Sequence, residues 1–156
     1  MLAFANISAN VLESKLAEKK QQESEVQHRI LIEESSDPIF SLTLEGQYRY
    51  VNRAFADGVG KTIEDITGKS IWDVFPSEEA DKRFSALSQV FYSGEEKVIE
   101  VRVPRANDDR YYITTITPIK DKTGKVSFVI CSSKDITERK LAEDKIKSLL
   151  SEKEVI

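Results

Sequence analysis

Side chains able to do chemistry are few in this sequence. It holds one histidine, His28, and one cysteine, Cys131. His28 lies in a long helical stretch, so no Ser-His-Asp or Cys-His relay is expected. Gln27-His-Arg29 also lacks the acid expected beside a phosphoacceptor histidine. A single cysteine excludes an internal disulfide framework and a cysteine-based zinc site. The acid pairs Glu95-Glu96 and Asp108-Asp109 are adjacent residues in loops, where charges are solvated rather than convergent on a metal. No Gly-rich phosphate loop is present. These observations predict no catalytic residue and no metal. The stretch with a definite local chemistry is Val126–Lys140, predicted to pass from strand to helix at Asp135. Asp135-Ile-Thr-Glu138 has the D-x-x-E form of a capping box. In that form Asp135 accepts from first-turn N–H groups and Glu138 reaches back.

Composition narrows the class. The 156 residues are 32% charged and 40% hydrophobic with a net charge of −4, an ordinary balance for one domain with flanking helices. That charge, with no concentrated basic face, argues against a nucleic-acid partner. No apolar run approaches the roughly 20 residues that span a bilayer, and Met1-Leu-Ala-Phe-Ala lacks the basic n-region of a signal peptide. A reducing cytoplasm and no membrane are expected.

The elements follow from punctuation and periodicity. Residues 1–34 contain no Gly or Pro and predict a linker helix. Leu2, Ala9, Leu16, Glu23 and Ile30, with Ala5, Leu12, Lys19, Val26 and Glu33 between them, form a heptad seam suited to a parallel dimeric coiled coil. Ser35-Ser-Asp-Pro38 ends it. Ile39–Leu44 and Tyr48–Val51 predict a hairpin across Glu45-Gly46. Three short helices follow, Arg53–Val59 capped by Asn52, Thr62–Ile66, and Ser70–Phe75, then a longer one from Ser77 to Gly94. Lys97–Val103, Tyr111–Ile119 and Val126–Ser133 read as strands. Two strands are apolar or uncharged on both faces, so the short helices must cover one face and terminal helices or a second copy the other. From Ile136 to Ile156 a second helix carries a weaker seam, Ala142, Ile146, Leu149, Lys153 and Ile156.

This order, with Ser36-Asp-Pro-Ile-Phe40, Tyr50-Val-Asn-Arg-Ala-Phe55, Gly68-Lys-Ser-Ile-Trp-Asp-Val-Phe75, Thr117-Pro-Ile119, Asp121-x-x-Gly124 and Asp135-Ile-Thr-Glu-Arg139, resembles a PAS domain with its PAC motif over residues 29–140. The resemblance implies an α+β fold with a five-stranded antiparallel sheet in spatial order 2-1-5-4-3. Short helices would cover one face, and coiled-coil helices would flank the domain. The organisation expected is a linker helix (1–34), a PAS/PAC sensor domain (35–135) and a signalling helix (136–156). Phe4–Glu13 resembles the last helix of a GAF domain. Leu149–Ile156 is similar to the run before the histidine box of a sensor histidine kinase. An upstream GAF-like domain and a downstream kinase domain of the same chain are therefore expected partners, together with a homodimer through the flanking helices.

The resemblance also implies a pocket between sheet and helices. Its expected lining is Phe40, Phe55, Ile71, Trp72, Phe84, Leu87, Val101, Tyr112, Thr114, Ile116, Val129, Cys131 and Ser133. Asn52–Gly60 has no cysteine, which removes cysteinyl-flavin adduct chemistry, and His28 lies outside the domain, which removes histidine-ligated haem. A small, partly apolar ligand suits these walls, and a non-covalent flavin stays open. Two functions are expected alternatives. One is a sensory domain whose signal passes through Asp135, Ile136, Thr137 and Glu138 to an output domain, a two-component histidine kinase or another output such as a diguanylate cyclase. The other is a ligand-free interaction module that only dimerises its neighbours.

Overall fold

Gly, Pro and capping side chains set the element boundaries of the computed structural model, which describes residues 2–154, with side-chain surroundings for 9–152. Two units are distinguished, residues 1–34 and 35–156. The first is α1 (Leu2–Glu34), unbroken across its 33 residues. Its seam residues Leu12, Leu16, Val26 and Ile30 are exposed. The side chains of Leu2 and Ala5, and of Lys153 and Ile156 in the second seam, lie outside the described residues.

In the second unit, β1 (Ile39–Leu42) and β2 (Tyr48–Val51) are followed by α2 (Arg53–Val59), α3 (Ile63–Ile66), α4 (Ile71–Val74) and α5 (Ser77–Ser93). Then come β3 (Lys97–Val103), β4 (Arg110–Lys120), β5 (Val126–Asp135) and α6 (Thr137–Glu154). The strands form one antiparallel sheet in the order β2-β1-β5-β4-β3. This is the predicted sheet.

Local chemistry explains the helices. Asn52, Thr62 and Ser70 each sit in extended backbone and accept from the N–H three residues on, the ordinary N-cap bond. Ser70 and Asp73 complete a capping box. Asn52 does more than cap. It is wholly buried, its Oδ1 accepts from both Phe55 N–H and Ile39 N–H at 3.0 Å, and its Nδ2 donates to the Asp37 carbonyl at 3.0 Å. One side chain thus ties the start of β1 to the start of α2.

Two strand ends differ from the sequence reading by two residues. β1 stops at Leu42, not Leu44, because Thr43 N–H turns to the Gln47 carbonyl and Gly46 N–H to the Thr43 carbonyl. Gly46 needs its positive φ of 83°, and a Cβ there would meet Ile71 and Phe84 at 3.3 Å. β5 continues past Ser133 to Asp135, since Ile113 and Tyr112 pair with Lys134 and Asp135. The final helix therefore starts at Thr137.

The core lies between the sheet's inner face and α2–α5. Val51, Ile66, Ile71, Leu87, Val90 and Val129 are at most 1% exposed, each contributing about 1.5–3 kcal/mol of burial where the side chain is large. Phe55 packs its ring against Phe40 at 4.6 Å and Tyr48 at 5.3 Å. On the opposite face Ile130 and Val98 stay 42% and 58% exposed, and the Arg49 guanidinium covers the Phe128 ring at 3.7 Å. Among the described residues no helix is long and apolar enough to cross a membrane.

Candidate functional site

Alternation along the strands aims every second residue at the helices, and the space left between them is a cavity of about 50 Å³. Phe40 on β1, Val101 on β3, Tyr112, Thr114 and Ile116 on β4, and Cys131 and Ser133 on β5 form its sheet wall. Phe55 of α2, Ile71 of α4 and Leu87 of α5 close the helical side. These ten were expected from the sequence.

Three expected residues do not line it. Trp72 is 40% exposed, stacks on Phe84 at 4.9 Å, and donates its Nε1–H to Asp81 at 2.8 Å. Because α4 is a single turn, its inward position is Ile71, and Phe75 follows one turn later to take the place assigned to Trp72. Phe84 pairs with Trp72 and with the Gly46 turn instead of the cavity. Val129 has the inward parity and is fully buried, but it is not among the residues that line the cavity.

The sequence reading missed the most polar part of the wall. Tyr48, Gly58, Phe75 and Arg83 also line the cavity. Tyr48 faces inward because the register slips between Ser41 and Leu42, which pair with Tyr50 and Tyr48, leaving Arg49 over. The Arg83 Nη1 donates to the Glu79 carbonyl at 3.0 Å and to Glu79 Oε2 at 3.2 Å, while Nη2 donates to the Arg102 carbonyl at 2.8 Å. The Phe75 ring lies 3.9 Å from that guanidinium. Glu79 Oε1 also accepts from Arg102 Nε at 3.2 Å, and Arg102 reaches Asp109 at 2.9 Å. The signal available was the i, i+4 spacing of Glu79 and Arg83 on a face otherwise apolar.

Burial dominates the titration of this wall. It pushes the Tyr48 phenol well above its ordinary value, and the nearby Arg83 charge offsets only part of that. It pushes the Cys131 thiol up to about 12. Burial also lowers Arg83, against the raising effects of Tyr48 and Glu79. At neutral pH the wall therefore presents a phenol and a thiol in their neutral forms. Thr114 and Ser133 bond to each other, Oγ1 to Oγ at 2.8 Å. Among the described residues no group of three or more His, Cys, Asp or Glu side chains converges on a metal position.

At the end of the same strands lies the junction to α6. The expected capping box is not formed. Asp135 belongs to β5, and its Oδ1 accepts from Thr137 N–H, two residues on, at 2.8 Å. Glu138 is exposed and makes no return bond to Asp135 among the described residues. The box fails because strand pairing with Tyr112 holds Asp135 one residue too early to cap N3. The helix start is instead held by β4. Ile136 N–H donates to the Tyr111 carbonyl at 2.8 Å, and the Thr137 hydroxyl accepts from Tyr111 N–H at 3.0 Å. Arg110 pairs with Asp135 at 3.6 Å, while Arg139 and Lys140 reach Glu100 at 3.9 and 3.4 Å.

Comparison with known proteins agrees with this architecture. Over 121 residues the chain is 26% identical to the cyclic di-GMP phosphodiesterase PdeR of Escherichia coli, covering 76% of this chain and 18% of that protein. It is 27% identical to the sensor histidine kinase TmoS of Ectopseudomonas mendocina, covering 74% of this chain and 12% of that one. The chain thus spans less than a fifth of the length of these relatives. Among solved structures, the PAS domain of Bordetella pertussis BvgS superposes with a TM-score of 0.62 at 24% identity, over 83% of this chain and 98% of that one. The family model for the PAS fold matches residues 32–141, and the chain belongs to that family.

Proposed function

We propose that this chain is the sensory module of a longer signalling protein, in which a small ligand in the cavity sets the position of α6. The observation that carries this is the division of labour between neighbours on β4. Tyr112 lines the cavity, while the backbone of Tyr111 holds both Ile136 and Thr137. A shift of β4 that accommodates a ligand moves the helix start by the same backbone. Asp135, Ile136, Thr137 and Glu138 are then the relay. In this reading the task of the segment is binding.

Output follows from a dimer of helices. Leu12, Leu16, Val26 and Ile30 on α1, and Ile146 and Leu149 on α6, are exposed, and such seams are buried by a second copy in register. A sensor histidine kinase and a cyclic di-GMP phosphodiesterase among the relatives support a two-component kinase as output, with a nucleotide second-messenger enzyme as the alternative. A GAF-like domain upstream, a kinase domain downstream and a cytoplasmic location complete this reading.

The test is direct. Purified chain is denatured and the released small molecules are identified by mass spectrometry, while Leu149→Cys cross-linking measures helix pairing with and without them. A released molecule that changes cross-linking supports the relay. The small cavity favours a second reading, a ligand-free dimerisation module. An empty extract with unchanged cross-linking would establish that reading and remove the first.

A further inference from the structure

The cavity wall is unevenly built. Most of it is hydrocarbon, interrupted by two phenols, one guanidinium, the Cys131 thiol and the mutually bonded Thr114 and Ser133 hydroxyls. Tyr48 and Tyr112 are 2% and 6% exposed, and neither hydroxyl has a protein hydrogen-bond partner among the described residues. A buried tyrosine hydroxyl ordinarily finds one. Tyr112 reaches its place because Gly58 has no side chain: a Cβ there would stand 3.1 Å from the phenol oxygen. Tyr48 and Arg83 both line this cavity, so a phenol donor and the guanidinium share one wall.

Charge decides what they are for. Arg83 is the charged residue among those lining the cavity. Its partner Glu79 is shared with Arg102, so two guanidinium groups divide one buried carboxylate. Asp109, at 33% side-chain exposure, compensates Arg102 from the rim. Arg83 Nε donates to nothing among the described residues, which leaves a charged donor in the same lining as the Tyr48 and Tyr112 hydroxyls and the hydrocarbon of Ile99, Val101 and Leu87. Anionic acceptors are the groups such a wall stabilises most, since bonds to charged partners are the strong ones.

Size limits the rest of the ligand. A water needs roughly 10–15 Å³ of such space, so about 50 Å³ has room for about three to five heavy atoms. A flavin or haem requires the helices to move apart; a short organic acid does not.

We propose that the cavity binds a short-chain monocarboxylate, its carboxylate held by Tyr48 and Arg83 and its hydrocarbon end against Val101 and Leu87. The proposal rests on the reading of this cavity as a ligand site. Tyr112 is the second hydroxyl available to the carboxylate, and the Thr114–Ser133 pair, already satisfied internally, borders the hydrocarbon.

The test uses propionate as probe, with propionamide as its uncharged counterpart, titrated into the 156-residue chain while methyl resonances of Val101 and Leu87 are followed by NMR. Saturable shifts with propionate, and binding of propionamide at least about tenfold weaker, are expected. Arg83→Met should weaken propionate by roughly 10–100-fold, and Tyr48→Phe by about tenfold. Tyr48→Phe keeps the ring in the core and carries the test if Arg83→Met does not fold. Equal or tighter binding of propionamide overturns the carboxylate assignment and leaves the cavity a ligand site. Absence of shifts with both probes also overturns it, and the sensing reading falls with it only if the purified chain releases no small molecule on denaturation.

Discussion

The Thr137 hydroxyl accepts a hydrogen bond from the Tyr111 backbone N–H at 3.0 Å, across 26 residues of sequence. The Tyr111 carbonyl in turn accepts from Ile136 N–H at 2.8 Å. One strand residue therefore holds both Ile136, just before α6, and Thr137, its first residue. Thr137→Val removes the acceptor without changing the shape and leaves a part-buried N–H unpaired, a loss of about 1–2 kcal/mol. Hydrogen exchange should accelerate at Tyr111 and in the first turn of α6, with the β1–β2 hairpin unaffected. Uniform exchange across both regions would show that the bond holds nothing locally.

Asp135→Ala tests the neighbouring bond. The lost acceptor for Thr137 N–H costs about 1 kcal/mol, the ordinary value for such a cap. In a full-length parent the variant should also weaken the dependence of output on input. Unchanged thermal stability and unchanged output together would remove Asp135 from the relay.

Asn52 is the side chain whose loss should cost the fold most. Asn52→Ala leaves Ile39 N–H, Phe55 N–H and the Asp37 carbonyl without their partner in the interior. A loss of roughly 2–4 kcal/mol follows. Asn52→Asp keeps both acceptor bonds but turns an oxygen toward the Asp37 carbonyl, so in acid, where the new carboxyl is protonated and can donate, its midpoint in urea should fall between wild type and Asn52→Ala. Equal midpoints for the two variants would mean that the cap does not dominate.

How much of this was legible from residues alone depends on what each position answers to. The caps at Asn52, Gly60, Ser70 and Gly94 act within a turn of themselves, so they follow from local chemistry, whereas the bonds of Asn52 to Ile39 and Asp37 do not. Inward parity on β4 and β5 was equally readable, because long strands alternate without interruption. Tyr48 was not readable, since a register slip in a four-residue strand reverses which residue faces in. Trp72 and Phe75 were exchanged because a single helical turn has no periodicity to read. Arg83 resembles any charged helix residue until Glu79, Arg102 and Phe75 are seen around it. The Asp135 motif misled for the same reason: D-x-x-E describes a local cap, and pairing with Tyr112 overrode it.

The Cys131 thiol gives a pH dependence of definite sign. Burial raises its folded-state value from about 9 in the open chain to about 12. The neutral thiol is thus favoured in the folded state, and its stabilising effect is complete below pH 9. It declines as pH rises toward 12, by up to about 1.4 kcal/mol per pH unit, because only the unfolded chain ionises freely. Tyr48 shifts in the same direction from its ordinary value of 10.0, so of these two groups Cys131 contributes first, between pH 9 and 10. Cys131→Ala should flatten stability in that window and leave the fall above it. Native Cys131 should also react with a thiol reagent only as fast as the domain opens; fast labelling of the folded chain would contradict its burial.

Glu100 on the outer face of β3 receives both Arg139 and Lys140 from the first turn of α6. These pairs are 3.4–3.9 Å long and partly exposed, so each contributes at most about 1 kcal/mol and less at high salt. The Tyr111 bonds meet at one point of the chain, so the role expected of the Glu100 pairs is to set the direction in which α6 leaves the sheet. Glu100→Gln should leave the thermal midpoint nearly unchanged, while cross-linking of paired Leu149→Cys helices shifts toward neighbouring positions. Wild-type protein in 1 M salt should show the same shift, and the variant should show no further change on adding salt. A variant whose cross-linking pattern matches wild type in both conditions would mean that the hydrogen bonds at Tyr111 alone orient the helix.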